Sequence, residues 1–270
     1  MDRYLVIGNP IAHSLSPEIH ARFARSLGEL ISYERCLVPA GGFAAHARRF
    51  FDEGGRGANV TLPFKVDAFE FAARSSDRAR LAGAANFLAA RDGRIEADNT
   101  DGAGLVADLT RNHGVALKGA RIVLVGAGGA ARGVIAPLLA QQPASLVVAN
   151  RTRERALELA KTFAHLGPIR ACELQEIPAD ATLLINATST STKGEPLALG
   201  PGVLHADLVA YDMAYGAGAR AFVERARAAG ARASDGLGML VEQAAESYYL
   251  WRGLRPETGP VLAELRTLVA

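Results

Sequence analysis

"IVLVGAGGAARG", residues 122–133, is the stretch that decides the fold. An apolar run typical of a buried strand enters a glycine-rich turn, and an alanine-rich segment then begins a helix. Gly126, Gly128 and Ala131 fit the pattern GxGxxA, in which glycines permit the tight turn and the approach of backbone N–H groups to a pyrophosphate. The pattern in this setting predicts a dinucleotide site; the alternative is a strand-to-helix turn without a ligand.

The segment after the next strand, "SLVVAN", discriminates between the two common dinucleotides. An NAD site places a carboxylate at this strand end, about 20 residues after the glycines, to accept from the ribose 2′-hydroxyl. This chain has no carboxylate at the strand end and offers donors there instead, from Asn150, Arg151, Thr152, Arg153 and Arg155. Arginine and hydroxyl donors suit a 2′-phosphate, so we predict NADP over NAD. The other interpretation is a solvated helix start in which Glu154 pairs locally.

Composition limits the remaining choices. A chain of 270 residues is long enough for one large or two moderate domains, and 49% hydrophobic with 21% charged residues is ordinary for a globular protein. The net charge of +2 implies no nucleic-acid or membrane partner. Short apolar runs predict neither a signal peptide nor a membrane span, and two distant cysteines fit a reduced cytoplasmic protein without a metal motif. We leave monomer or homodimer open.

The first hundred residues alternate strand and helix patterns. "RYLVIG", "ISYERCLV" and "GANV" are typical of strands, and "SPEIHARFARSL" and "FAAHARRFF" of helices, which predicts a mostly parallel sheet. "AANFLAARDGRIEAD" contains Asp92-Gly93, which indicates a hairpin. Two helices should close the chain, at about 240–251 and 256–268. We therefore predict an α/β protein with an N-terminal substrate lobe and a Rossmann lobe.

Polar side chains follow three of the predicted strands, and in open parallel sheets ligands bind at the strands' carboxyl ends. Ser14 and Ser16 lie at a helix entrance, although Ser16 could be a simple N-cap. Lys65 lies in the first turn of a helix, where the dipole disfavours a cation, and this indicates a role beyond that of a surface lysine. Asp101 follows the hairpin, and capping of the next helix is its plainer interpretation.

Nine short motifs in one order resemble the shikimate dehydrogenase family, NADP-dependent enzymes that reduce 3-dehydroshikimate to shikimate in aromatic amino acid biosynthesis. They are "GNPIAHSLSP", "GANVTLPFK", "GAAN", "DNTDGAG", "GAGGAAR", "NRT", "NATS", "YDMAY" and "DGLGMLVEQAAE". The resemblance covers nearly the whole chain. One departure is Phe87, where the family usually has threonine after GAxN; strand alternation should point it away from Asn86, into packing.

The resemblance implies a role for each matching position. Ser14 and Ser16 would bind the substrate carboxylate. The rest of the substrate pocket would be Thr61, Asn86, Asp101, Lys65, Tyr215 and Gln243. The cofactor would contact Asp77, Gly126, Ala127, Gly128, Gly129, Ala130, Asn150 to Arg155, Met213 and Gly236. Residues 1–101 would form the substrate domain, completed by C-terminal helices in 237–270 that return to this first lobe, and residues 102–236 would form the Rossmann NADP-binding domain.

The implied chemistry is general acid–base catalysis without a metal. Lys65 would exchange a proton with the reacting oxygen, which arginine cannot do because it does not deprotonate in proteins, and Asp101 would be its partner. Two alternatives stay open: a quinate/shikimate dehydrogenase that uses NAD, and a non-enzymatic dinucleotide-binding sensor that would need no proton relay.

Overall fold

Two parallel-rich sheets organise the molecule. The computed structural model describes residues 1–191 and 195–269. The chain divides into two compact units: Met1–Gly104 with Leu240–Leu265, and Leu105–Met239 with the end of the chain from Arg266. Each unit contains one six-stranded sheet. The predicted α/β class is therefore confirmed.

The first unit has a mixed sheet in the order β2-β1-β3-β5-β6-β4. Its strands are β1 (Asp2–Gly8), β2 (Ile31–Leu37), β3 (Gly57–Val60), β4 (Arg74–Ser75), β5 (Phe87–Arg91) and β6 (Arg94–Asp98). Strand β1 is parallel to β2 and β3, whereas β5 is antiparallel to β3 and β6. Asp92 and Gly93 turn between β5 and β6 with φ of 47° and 70°. Both values suit a two-residue hairpin turn, as the sequence predicted.

The second unit has a wholly parallel sheet in the order β12-β11-β10-β7-β8-β9. Its strands are β7 (Arg121–Val125), β8 (Ser145–Ala149), β9 (Ile169–Cys172), β10 (Leu183–Asn186), β11 (Val209–Asp212) and β12 (Arg232–Ser234). Strand β7 is central and almost fully buried after its first residue, as expected for a strand covered on both faces. The glycine-rich turn leaves its carboxyl end.

The helices mostly follow the predicted segments. They are α1 (Ser16–Leu27), α2 (Phe43–Asp52), α3 (Lys65–Phe71), α4 (Asp77–Ala82), α5 (Asp101–Ala107), α6 (Gly129–Leu139), α7 (Arg153–Phe163), α8 (Ala217–Ala228), α9 (Leu237–Arg252) and α10 (Gly259–Val269). A π-helical turn, Asp108–Asn112, directly continues α5. Within 1–191 and 195–269, no helix combines the length and the apolar character needed to cross a bilayer.

Trp251 fixes the end of α9 on the first sheet. Its indole Nε1 donates to the carbonyl of Leu88 at 3.0 Å, and its ring stacks on Phe87 with centroids 5.1 Å apart. A Cβ atom on Gly57 would lie 2.2 Å from that Nε1. Only glycine at position 57 leaves room for the indole in this place.

Gly57→Ala should therefore destabilise the first unit. The new methyl group must displace Trp251, and overpacking of this kind costs about 1–3 kcal/mol. Equilibrium unfolding in urea measures the loss. Gly259→Ala is the matched control, because a Cβ at Gly259 meets nothing within 4 Å. Equal stability of the two variants would contradict the steric argument.

Candidate active site

Lys65 and Asp101 are the first residues of α3 and α5, and the structure brings them together. The Lys65 Nζ donates to Asp101 Oδ2 at 2.5 Å, with the side chains 19% and 9% exposed. A carboxylate at the start of α5 is favoured by the helix dipole, and it offsets the unfavourable ammonium at the start of α3. The pair thus places one amine, held by one carboxylate, at the edge of solvent.

Asn86 orients the other oxygen of that carboxylate. Its Nδ2 donates to Asp101 Oδ1 at 2.8 Å, while its Oδ1 accepts from the backbone N–H of Thr100 at 2.8 Å. Because a backbone N–H can only donate, the Asn86 oxygen must face Thr100 and its nitrogen must face Asp101. Both carboxylate oxygens of Asp101 therefore accept from nitrogen donors, an arrangement that suits the ionised group.

Helix α9 brings Gln243 and Ser247 to the same network, one turn apart on one face. Gln243 Oε1 lies 3.2 Å from Asn86 Nδ2. The hydroxyl of Ser247, fully buried, accepts from Asn59 Nδ2 at 3.0 Å and lies 3.2 Å from the Thr100 hydroxyl. The family resemblance implied Gln243 as a pocket residue, whereas Thr100 and Ser247 were not among the candidate site residues. Their signals were adjacency to Asp101 and the four-residue spacing from Gln243.

The residue that departs from the family motif, Phe87, packs in the first unit as expected. Phe87 is 3% exposed and lies against Trp251. Asn86 contacts α9 through Gln243, whereas Phe87 contacts it through Trp251, further along the same helix. Strand β5 begins at Phe87.

Ser14 and Ser16 adjoin each other at the start of α1. Their hydroxyl oxygens are 3.2 Å apart, and the Ser14 oxygen accepts from the backbone N–H of Ser16 at 3.3 Å. Helix α1 begins at Ser16 itself, with Leu15 at the N-cap position and no side-chain cap. The interpretation of Ser16 as a simple N-cap is therefore wrong. Thr61, half-buried, directly follows β3.

Tyr215, Met213 and Gly236 belong to the second unit. Tyr215 and Met213 are half-buried on the loop after β11. A Cβ on Gly236 would lie 2.5 Å from the carbonyl oxygen of Met213. The structure thus brings Met213 and Gly236 into direct backbone contact, which requires glycine at 236.

The glycine turn leaves the start of α6 open. Gly126 has φ of 116°, which favours glycine, and a Cβ there would approach the Ala187 carbonyl oxygen at 3.0 Å. A Cβ on Gly128 or Gly129 would meet nothing within 4 Å. No side chain caps α6 at Gly128. Backbone N–H groups at a helix start without a cap favour an anion, and Ala127 and Ala130, half-buried, are small enough not to block it.

The donor cluster follows the adjacent strand β8. Asn150, half-buried, donates from Nδ2 to the carbonyl of Thr152 at 2.9 Å. The residues from Arg151 to Arg155 are exposed, with α7 beginning at Arg153. Glu154 is the lone acidic residue of this segment. The cluster is therefore positively charged and reachable by an anion.

Asp77 is not part of the donor cluster that follows β8. It belongs to the first unit, where its side chain is 87% exposed and forms an ion pair with Arg80. Its backbone starts α4, which Ser76 caps.

Arg78 joins β6 to α9 next to the catalytic candidates. Its guanidinium donates to Asp98 at 2.6 and 3.0 Å and to Glu246 at 3.0 Å. Burial raises the pKa of the Asp98 carboxyl, but hydrogen bonds from Arg78 and Ser76 outweigh burial and hold it below its ordinary value. Burial also raises the pKa of Glu246, and contacts with two arginines again outweigh burial and lower it.

These pKa shifts make the first unit sensitive to acid. A carboxyl whose pKa is lowered by folding adds stability above its unfolded value and loses that contribution as the pH falls through the folded value. For Asp98 and Glu246 the loss begins near their ordinary values of 3.8 and 4.5. We expect Arg78→Gln to be less stable at neutral pH and to lose less further stability on acidification. Urea midpoints of both proteins between about pH 7 and pH 3 measure this; parallel curves would contradict it.

The wholly parallel sheet, the glycine turn and the open start of α6 define a dinucleotide-binding α/β protein. Family models match three parts of the chain: the shikimate dehydrogenase substrate binding domain at residues 6–88, shikimate / quinate 5-dehydrogenase at 108–194, and the shikimate 5'-dehydrogenase C-terminal domain at 236–266. The chain belongs to the shikimate dehydrogenase family.

Individual relatives and solved structures are similar to this chain over nearly its whole length. Shikimate dehydrogenase (NADP(+)) of Acidovorax sp. strain JS42 is 52% identical over 274 residues, covering 100% of this chain and 97% of the relative. The Ael1 enzyme from Pseudomonas putida has a TM-score of 0.93 at 44% identity, with 98% of each chain covered. Shikimate 5-dehydrogenase from Thermus thermophilus, solved with NADP(H) and shikimate, has a TM-score of 0.86 at 33% identity, with 99% of each covered.

Proposed function

We propose that the protein catalyses the reversible, NADPH-dependent reduction of 3-dehydroshikimate to shikimate, a step of aromatic amino acid biosynthesis. The observation that carries this function is the 2.5 Å contact between Lys65 and Asp101, surrounded by buried amides and hydroxyls. Relatives about half identical over the whole chain are named NADP-dependent shikimate dehydrogenases, and a neighbour was solved with NADP(H) and shikimate.

The second unit is the proposed cofactor unit. Its glycine turn, Gly126 to Ala130, fits the pyrophosphate, because Gly128 and Gly129 leave open space at the start of α6, where no side chain caps the helix. The exposed cluster from Asn150 to Arg155 fits the 2′-phosphate. Met213 and Gly236 would lie along the nicotinamide. Asp77 would make a minor contact with the cofactor. When bound, NADPH supplies the hydride.

The first unit is the proposed substrate unit. Ser14 and Ser16 would bind the carboxylate of the substrate, because two hydroxyls and the start of α1 favour an anion. The ring hydroxyls would be bound by Thr61, Asn86, Asp101 and Gln243. A polar, hydrogen-bonded pocket suits a polyhydroxylated ring, since each buried donor or acceptor needs a partner.

Lys65 is the proposed proton donor. In the direction of reduction, the carbonyl oxygen gains electrons as its carbon is reduced, and the Lys65 ammonium donates a proton to that oxygen. The lysine becomes a neutral amine and regains a proton from solvent, to which it is 19% exposed. Asp101 keeps the amine in place throughout. In the reverse direction the amine accepts the proton of the substrate hydroxyl.

Two rival functions remain distinguishable. A quinate/shikimate dehydrogenase that uses NAD would not need three exposed arginines at the end of β8. A non-enzymatic dinucleotide sensor would not need a buried carboxylate held against a lysine. Nicotinamide reduction is followed spectrophotometrically with shikimate plus NADP and with quinate plus NAD. We expect the first pair to be preferred; turnover of neither would leave the sensor, and preference for the second would replace the proposed substrate.

A further inference from the structure

Arg35, on β2, contacts the loop that carries Ser14. Its Nε and Nη2 both donate to the carbonyl oxygen of Ser14, at 2.9 and 2.6 Å. Its Nη2 also donates to the two carboxylate oxygens of Glu18, at 3.0 and 2.9 Å. The Arg35 and Glu18 side chains are 34% and 38% exposed. One guanidinium thus joins a strand, a loop and the first turn of α1.

The carbonyl contact controls where the two serine hydroxyls lie. The backbone N–H of Ser14 donates to the carbonyl oxygen of Ile11 at 3.1 Å. The carbonyl oxygen of Ser14 accepts from Arg35, so both backbone polar groups of this residue are held in place. The Ser14 hydroxyl then receives the Ser16 N–H and lies beside the Ser16 hydroxyl. A shift of the Ser14 carbonyl would therefore move both hydroxyls.

The charges of Arg35 and Glu18 also affect how strongly an anion binds at the two serines. Hydroxyls are neutral, and the start of α1 contributes only a partial positive charge. The Arg35 guanidinium adds a full positive charge next to Ser14, and Glu18 opposes it. The balance between these two groups sets the electrostatic potential that an anion meets at the serines.

We propose that Arg35 is a positioning residue for the substrate carboxylate, and that Glu18 limits the affinity that Arg35 provides. The inference rests on the proposed function, because it assumes that the carboxylate binds at Ser14 and Ser16. Arg35 acts through the Ser14 backbone and through its charge, and it stands apart from the hydride and proton chemistry at Lys65.

The two groups should respond to mutation in opposite directions. Arg35→Ala removes the clamp and leaves Glu18 to repel the carboxylate, so the KM for shikimate should rise about tenfold with little change in kcat. Arg35→Lys retains the positive charge but lacks the planar, two-donor geometry of a guanidinium. Its KM for shikimate should therefore lie between those of the wild type and Arg35→Ala. Glu18→Gln should lower KM by a few fold, since the opposing charge is gone and the amide can still accept from Arg35.

The methyl ester of shikimate separates this role from a merely structural one. The ester has no charge at the group in question, so Arg35→Ala should change its kcat/KM much less than that of shikimate, at saturating NADP. Arg22→Ala is the matched control: Arg22 lies on α1 and, like Arg35, donates to a backbone carbonyl, of Glu18, and to a carboxylate, of Glu264. We expect its KM for shikimate to equal that of the wild type.

Three results would overturn the inference: equal losses with shikimate and with the ester, an unchanged KM in Arg35→Ala, or a raised KM in Glu18→Gln. Wild-type turnover of shikimate tests the proposed function separately. If the wild type turns over shikimate and Arg35→Ala behaves like it, only the role of Arg35 fails.

Discussion

Lys65→Ala should lower kcat by about 10²- to 10⁴-fold, the usual range for the loss of general acid–base catalysis. The KM for shikimate should change much less, because the carboxylate and ring hydroxyls have other donors and acceptors in the first unit. Steady-state kinetics with shikimate and NADP measure both constants. Lys161→Ala, an exposed lysine of α7, is the matched control and should retain activity.

A second substitution at the same position tests proton transfer and not charge alone. Lys65→Arg keeps a cation that can contact Asp101, but a guanidinium does not give up its proton in proteins. Its kcat should stay close to that of Lys65→Ala. A kcat of either variant within a few fold of the wild type would remove Lys65 from the mechanism.

Arg151→Ala should lower the affinity for NADP by about 10- to 100-fold, which is the loss expected for one or two charge-assisted hydrogen bonds to a phosphate. The affinity for NAD should hardly change, because NAD has a 2′-hydroxyl in place of that phosphate. The KM values for the two cofactors, at saturating shikimate, give the ratio directly. The preference for NADP should fall accordingly.

Arg121→Ala is the control for a general loss of positive charge from the second unit. Arg121 begins β7 and pairs with Asp180 at 3.1 Å, at the opposite end of the strand from the glycine turn. Removal of its side chain should leave the KM values for NADP and for NAD unchanged. Equal losses for NADP and NAD in Arg151→Ala would refute the assignment of the 2′-phosphate to this cluster.

The sequence predicted the elements of the site better than their mutual orientation. The sequence indicates a role for Lys65 because an ammonium is unfavourable at a helix start. The structure places the carboxylate of Asp101 beside it, which offsets that cost. The orientation of Asn86 depends on the backbone N–H of Thr100, and the antiparallel pairing of β5 with β6 sets where these two residues meet. No local pattern contains that information.

Short edge elements escaped prediction for a related reason. Strands β9 and β12 have four and three residues and lie at the two edges of the second sheet, where alternation is too brief to detect. The long C-terminal helix was predicted from Leu240, yet it begins at Leu237. Its glycine-rich start, "DGLG", obscured the boundary, since glycine usually marks a turn.

The packing of Trp251 against Gly57 has a consequence for spectroscopy. The chain contains one tryptophan, and that residue lies in the first unit. Its indole emission therefore senses the melting of one half of the molecule, whereas the far-ultraviolet circular dichroism signal averages over both. Denaturation curves recorded by the two methods on one sample can thus resolve whether the halves unfold together or in sequence, with no label attached.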